Sequence, residues 1–275
     1  MLPLHVHDQA LGRRLALHEA HVHARSNREL RDLGDGVLLY DPADPEPFWN
    51  RLVAPIWPED EEGFNRRLGE VITLFATLGR MPHVRTLPLG GRPSNIAERL
   101  MRAGFRLIGR DRSLALVDPG TVLSLSRTLA QRTNLRVEHV GEEAAPRAMD
   151  VARVLVEAFG VETDRISGLA AETLTAARRP GGAALLLLDD DRPVAAARRV
   201  TVEGATYLSS IGTIPPARGK GYASLLTAIA ARDALQSGSE IVHLLADAET
   251  DSALQLYRRL GFELVGEPIA DLLAR

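Results

Sequence analysis

No cysteine occurs among the 275 residues, which removes disulfides, thiolate metal sites and a cysteine nucleophile from consideration. The same absence fits a reducing compartment, and a cytoplasmic location is expected. Lysine is almost missing as well: Lys220 is the only one, and every other fixed cation is an arginine. No run approaches the roughly 20 apolar residues that span a bilayer, so no membrane partner is expected. The opening, Met1 to His7, lacks both a basic stretch and an uninterrupted apolar core and is expected not to act as a signal peptide. A net charge of -3, with no basic run interleaved with aromatics, leaves no footprint for nucleic acid. The remaining composition, 45% hydrophobic and 25% charged, is that of a globular protein long enough for one large domain or two ordinary ones.

Against that background one stretch stands out. An apolar, strand-like run ends in Ile211-Gly212-Thr213-Ile214, a turn follows through Pro215-Pro216-Ala217-Arg218-Gly219-Lys220-Gly221, and Tyr222-Ala223 opens an apolar segment at helical spacing. Glycines 219 and 221 remove side chains where a ligand would approach the backbone. The first amides of a helix lack intrahelical partners and sit at the positive end of its dipole, and Arg218 and Lys220 add full charges. Such a turn suits a phosphate or pyrophosphate, although taken alone it reads equally well as an ordinary strand-to-helix turn with solvated charges. It is not a Walker A loop, because Gly212 lies too far from Gly219 and no hydroxyl follows Lys220. It is not a dinucleotide fingerprint either, for want of a third glycine.

Elsewhere the pattern alternates. Residues 5–33 read as mostly helical and hold five of the eight histidines, of which His18 and His21 would share a face; without a recurring acidic partner they are expected to be structural, with no metal. A strand is expected over 36–40, an ordered proline-rich loop over 42–58, and a helix on Leu68, Val71, Ile72, Phe75 and Leu78 stopped by Gly79. A strand follows over 84–89, a helix over 94–103 capped by Ser94, and a strand or hairpin over 105–117. A polar connection then runs through Asn134. The second half reads as strand 135–140, helices 146–159 and 169–178, strands 183–188, 194–202 and 206–214, the turn and its helix, strand 241–245, helix 251–260 and a closing strand at 262–265. This order is α/β.

A shift of 157 positions lays Gly104-Phe105-Arg106-Leu107-Ile108-Gly109 over Gly261-Phe262-Glu263-Leu264-Val265-Gly266. Without a gap, Ile96, Leu100 and Ala103 fall on Ala253, Tyr257 and Leu260, Leu68 and Ile72 on Leu225 and Ile229, and Pro58 on Pro215. Two copies of one fold explain this register. The same shift sets Glu59-Asp60-Glu61-Glu62-Gly63-Phe64 against Pro216-Ala217-Arg218-Gly219-Lys220-Gly221. A carboxylate ~4 Å from a phosphate oxygen repels it by about 4 kcal/mol at an intermediate dielectric, so only the later copy is expected to hold an anion there.

Arg218-x-x-Gly221-x-Ala223 resembles the acyl-CoA pyrophosphate motif of the GNAT acyltransferase superfamily, and Ala253-x-x-x-Tyr257-x-x-x-Gly261-Phe262 resembles its second motif. The resemblance covers residues 135–270 and reaches the first half only through the repeat. It implies two tandem GNAT-like domains, 1–130 degenerate and 131–275 binding acetyl-CoA, each a mixed, mostly antiparallel twisted sheet with a strand-helix-strand-helix-strand core. It also implies that Arg218, Gly219, Lys220, Gly221, Tyr222 and Ala223 hold the pyrophosphate, that Ile211, Gly212, Thr213 and Ile214 pair with the pantetheine arm, and that Thr250 and Ala253 complete the cofactor set. Tyr257 is the implied acid for the leaving thiolate; read from its spacing alone it is a core aromatic. Two departures remain. Thr250 stands where the family often has asparagine, and Ser209 and Ser210 occupy the strand where a carboxylate base is expected, leaving Glu157, Glu162, Asp164, His243 and Asp247 as alternatives.

The expected function is direct transfer of an acetyl group from acetyl-CoA, the cosubstrate, to a primary amine on a small molecule or peptide. A CoA-binding sensor or scaffold without turnover and an enzyme using a longer acyl or an aminoacyl donor are the rivals. The chain is expected as a monomer, its two copies mimicking a dimer, or as a homodimer.

Overall fold

The computed structural model describes residues 6–25, 27–128, 132–141 and 145–275; the readings that touched His5 and part of the connection before Asn134 lie outside them. In chain order the first half contains α1 (Gln9–Ala24), β1 (Glu29–Asp32), β2 (Val37–Tyr40), β3 (Arg51–Val53), α2 (Glu61–Thr77), β4 (His83–Arg85), α3 (Ile96–Arg102) and β5 (Arg106–Leu116). The second contains α4 (Gly120–Thr128), β6 (Leu135–Val140), α5 (Ala145–Phe159), α6 (Ile166–Arg178), β7 (Gly182–Asp189), β8 (Arg192–Val202) and β9 (Ala205–Thr213). It continues with α7 (Tyr222–Gln236), β10 (Ile241–Asp247), α8 (Asp251–Arg259), β11 (Phe262–Leu264) and β12 (Ile269–Leu273). No helix among the described residues is long and apolar enough to cross a membrane.

The chain packs as two units, neither of them one continuous stretch. Of the described residues, the first lobe gathers 6–113 with Ala246–Asp251 and Leu264–Arg275; the second gathers Leu114–Leu245 with Ser252–Glu263. A single cut at residue 130 does not describe this, for two reasons. Strand β12, last in the chain, pairs antiparallel with β4 and β5 in the first lobe. Helix α4, which polarity alone read as a connection, packs against α7 in the second. Under the 157-residue shift, Leu114–Leu116 corresponds to Asp271–Leu273. Each lobe therefore draws its final strand from the other half of the sequence, a symmetry that two copies of one fold account for.

In the first lobe β1, β2 and β3 are antiparallel and β3 and β4 parallel. Phe64, Leu68, Val71 and Phe75 of α2, four to three residues apart, face Leu38, Leu52, Val84 and Leu272 in the core. Ile72, which the same periodicity placed on that face, is exposed. Two local readings fail here. Residues 29–32 are strand rather than helix, and Arg51–Val53 is a strand within the expected loop, too short to show a period. Helix α3 starts at Ile96 without a side-chain cap, so Ser94 does not cap it. His18 is buried while His21 is exposed, and among the described residues no three His, Asp or Glu side chains are placed to hold a metal.

The second lobe is a sheet in the order β6-β7-β8-β9-β10, antiparallel except for β9 and β10. Helices α5 and α6 pack on each other, α5 also on β7, β8 and β9, and α7 against β8, β9 and α4. Leu225, Leu226, Ala228, Ile229, Ala230, Ala231 and Ala234 of α7 are all buried. The alanines let the helix lie close to its neighbours on both sides, which is why its sequence shows little amphipathic stripe.

Candidate active site

Pairing of β9 with β10 runs from Ala205–Ile241 to Leu208–Leu244 and stops there, although β9 continues to Thr213. A bulge sits just past the stop. Ala196 of β8 faces Gly212 and Arg198 faces Ser209, so β9 holds an extra residue, and Ser210 adopts a left-handed backbone with φ 51°. A serine in that region is strained, and bulges of this kind bend a strand out of the ladder. The predicted segment Ile211–Ile214 thus leaves β10 while staying tied to β8, with Ile214 N–H donating to Val194 O at 3.0 Å. The buried Thr213 hydroxyl has no hydrogen-bond partner among the described residues.

Beyond β9, a short turn of Pro215–Ala217 leads to the glycine pair. Gly219 and Gly221 have φ of 79° and 80°, and a Cβ on either would meet no protein atom within 4 Å. Gly221 is the N-cap of α7, with no side chain capping the helix. Exposed, unhindered backbone at an uncapped helix start is what an incoming anion requires. Gly212 answers to packing instead: a Cβ there would come within 2.8 Å of Ala158 Cβ and 3.2 Å of the Phe159 ring.

The side chains divide differently from the sequence reading. Arg218 is exposed, yet it donates from Nη2 to Ala158 O at 2.8 Å and from Nε to Thr213 O at 3.3 Å, fastening the turn to the end of α5. Lys220 lies 3.8 Å from Asp189 Oδ2. The Tyr222 ring is buried and its hydroxyl donates to Asp189, so its side chain is a structural brace and only its amide remains for a ligand. The Tyr222 bond, ahead of Asn134 and Lys220, holds the Asp189 carboxyl below its ordinary range. Asp189 belongs to an acidic run that reads as a β-turn, and Asp190 and Asp191 do take left-handed φ. Nothing in that run marks its first member as a brace for the glycine turn.

Tyr257, on α8, is buried beside Phe262, with ring centroids 6.1 Å apart. Its hydroxyl bonds no described protein group, and burial pushes it up to about 12, so it stays protonated through the neutral range. Ala253 is half-buried on the same helix. Thr250 directly precedes α8, three positions before Ala253. Its hydroxyl donates to Asp247 at 2.7 Å, and residues 246–251 cluster with the first lobe. Of the other base candidates, Glu157, Glu162 and Asp164 are exposed, while His243 is buried against the Tyr207 ring in the still-paired part of β10.

Residues 150–262, which include this turn and Tyr257, match the acetyltransferase (GNAT) family. That segment is a GNAT domain. Over 96% of this chain and 95% of its own, a GCN5-related N-acetyltransferase from Kribbella flavida superposes with a TM-score of 0.72 at 24% identity. A GCN5-related N-acetyltransferase from Sphaerobacter thermophilus gives a TM-score of 0.61 at 19% identity, covering 88% of this chain and 81% of its own. A functionally unknown conserved protein from Staphylococcus epidermidis gives 0.67 at 13%, covering 89% and 92%. These likenesses establish the GNAT fold over nearly the whole length. No curated protein sequence matches the chain.

Proposed function

We propose that the chain is an acetyl-CoA-dependent N-acetyltransferase whose cofactor site lies wholly in the second lobe. The observation that carries this is the opening of β9 away from β10 directly ahead of two unhindered left-handed glycines and an uncapped helix. The amides from Arg218 to Ala223 would hold the pyrophosphate, and the backbone of Ile211–Ile214, with the Thr213 hydroxyl, would meet the pantetheine arm. Acetyl-CoA supplies an activated acyl carbonyl. This chain's part is to orient it, to present a β9 backbone donor to its oxygen, and to deliver the Tyr257 proton to the departing sulfur. A donor of that kind contributes about 3 kcal/mol, and a positioned acid about 10²–10⁴-fold in rate. The nitrogen–carbon bond forms as the carbon–sulfur bond breaks; the amine loses one proton and the sulfur gains one. The acceptor is a primary amine on a small molecule or peptide.

Calorimetry with acetyl-CoA tests the reading. One site per chain is expected, with binding lost in Arg218→Glu, which places a carboxylate in the cradle and releases the end of α5. A stoichiometry of two, or undiminished affinity in the variant, refutes it. A second reading, a CoA-binding sensor without turnover, draws on one observation: the opened part of β9 carries Ser209 and Ser210 and no carboxylate. Release of free CoA across a panel of small amines and peptides separates the two.

A further inference from the structure

The first lobe has a cavity of its own. It measures ≈ 440 Å³ and is lined by Gln9, Glu59, Arg92, Ser94, Asn95 and Arg99 together with Gly90, Gly91 and Pro93. The volume lies within the range of small-molecule sites, toward its lower end. Under the 157-residue shift Glu59 corresponds to Pro216 and Ser94 to Asp251. The cavity therefore lies where the second copy has its phosphate turn and the start of its last helix, but the chemistry around it is different.

Two cations dominate. Arg99 is held in place: its Nε donates to Asn95 Oδ1 at 2.9 Å and its Nη2 to the Glu59 carbonyl at 2.7 Å, and its guanidinium lies 5.2 Å from the Phe64 ring centroid. Its Nη1 is buried with no hydrogen-bond partner among the described residues. The Arg99 charge is thereby fixed at the cavity wall. Arg92 is exposed and forms no ion pair among the described residues. Its carbonyl accepts the Trp57 amide at 2.9 Å, which fixes the backbone from which the side chain projects. The hydroxyl of Ser94 and the amides of Asn95 and Gln9 complete a donor-rich lining, with Glu59 as the only carboxylate.

We propose that this cavity is a second ligand site, for the carboxylate or phosphate group of a small acid, separate from the cofactor site and filled independently of it. Arg92 grips the anion in the field of the fixed Arg99 charge, and Glu59 opposes it and limits its charge. Both tryptophans of the chain, Trp49 and Trp57, belong to the first lobe, and the Trp57 amide is bonded to Arg92, so intrinsic fluorescence reads this lobe directly.

The test is a fluorescence titration of the full chain with inorganic phosphate in one arm and succinate in the other. Ionic strength is matched with sodium chloride throughout. A saturable change with at least one of the two anions and none with chloride is expected, and the arm that responds names the source. Arg92→Glu should weaken the response at least about tenfold, as loss of a charge-assisted contact does. Glu59→Gln should strengthen it by about 3–10-fold, a gain that a damaged fold does not produce. Absence of saturation with both anions overturns the proposal. So does an Arg92→Glu titration that matches the unaltered protein.

Discussion

Gly221→Ala separates the cofactor cradle from ordinary helix architecture, because the same helix supplies its own control. Gly221 opens α7 at φ 80° and Gly238 follows its other end at φ 88°; neither has a protein atom within 4 Å of where a Cβ would go. In both variants the fold meets only the left-handed penalty of a non-glycine residue, about 1–2 kcal/mol. For a chain of this size each kcal/mol lowers Tm by about 2–4 °C, so the two should melt about 2–8 °C below the unaltered protein and close to one another. Ligand binding should distinguish them. A methyl group at 221 stands in the space an incoming phosphate must enter and tilts the amide that would bond it. One charge-assisted hydrogen bond of about 1.5–3 kcal/mol then disappears, which raises Kd by about 10–100-fold. Calorimetry with acetyl-CoA, paired with thermal melts, reads both quantities. Gly238→Ala should bind as the unaltered protein does. Equal affinity losses at the two ends, or normal affinity in Gly221→Ala, would falsify the assignment of α7 as the phosphate-binding helix.

Tyr257→Phe should lower kcat by about 10²–10⁴-fold at little change in KM, and leave stability within about 0.5 kcal/mol because the hydroxyl has no partner among the described residues. Since burial raises that hydroxyl to about 12, the kcat/KM profile should show no alkaline fall below about pH 10 that the Phe variant abolishes; such a fall would show the hydroxyl ionising well below the value its burial gives it. Gly212→Ala drives a methyl into Ala158 and Phe159 and should cost about 1–3 kcal/mol in chemical denaturation, the signature of overpacking at the α5 contact. In the first lobe, burial works to raise the Glu19 carboxyl, but Arg51 at 2.6 Å and His23 at 2.9 Å overcome it and hold it well below its ordinary 4.5. A depressed carboxylate contributes stability that is fully present above its unfolded value and lost as pH falls toward the folded one. Glu19→Gln should therefore weaken the protein by about 3–5 kcal/mol at pH 7 and flatten the loss of Tm below pH 4.5. Parallel acid limbs in the two proteins would show that Glu19 does not carry this linkage.

Much of this arrangement was readable from residue order. Every strand from β6 to β11 announced itself by apolar runs bounded by turn residues, and the turn at Glu203-Gly204 has the two left-handed residues its hairpin requires. The glycine turn was readable because backbone freedom is written in residue type. Side-chain partners were not. Tyr222 follows the cradle in sequence, but a carboxylate 33 positions upstream takes its hydroxyl, and local pattern has no access to such a contact. The polar stretch after residue 118 hides a helix because α4 needs little apolar surface of its own: Val122 is buried within it, and the rest of the contact is supplied by α7.

The repeat itself was read without a gap, and the strands show where that fails. Val84 pairs with Leu52, so an unbroken shift of 157 would pair Ile241 with Ser209; Ile241 pairs with Ala205 instead. Leu52 lies 9 positions before α2 begins at Glu61, whereas Ala205 lies 17 before α7 begins at Tyr222, so the second copy has more chain between its paired strand and its helix. In the first copy the pairing of β3 with β4 also stops, at Val53–Arg85, and Ala54 follows with φ 53°, but the chain past it is tied to a loop. Ile56 bridges to Arg92, the Trp57 amide bonds the Arg92 carbonyl, and Asp60 caps α2 by accepting from Gly63 N at 2.7 Å. In the second copy the extra length becomes the bulged tail of β9 and the glycine turn, and α7 is left without a cap. Repulsion from four carboxylates is therefore the lesser reason for one copy to refuse a nucleotide tail. The greater reason is strand register: past Val53 the chain is tied back to Arg92 rather than running on into an open turn, so replacing Glu59, Asp60, Glu61 and Glu62 together with alanine should not create a second acetyl-CoA site. A calorimetric stoichiometry that rises from one to two in that variant would make charge, rather than strand register, the cause.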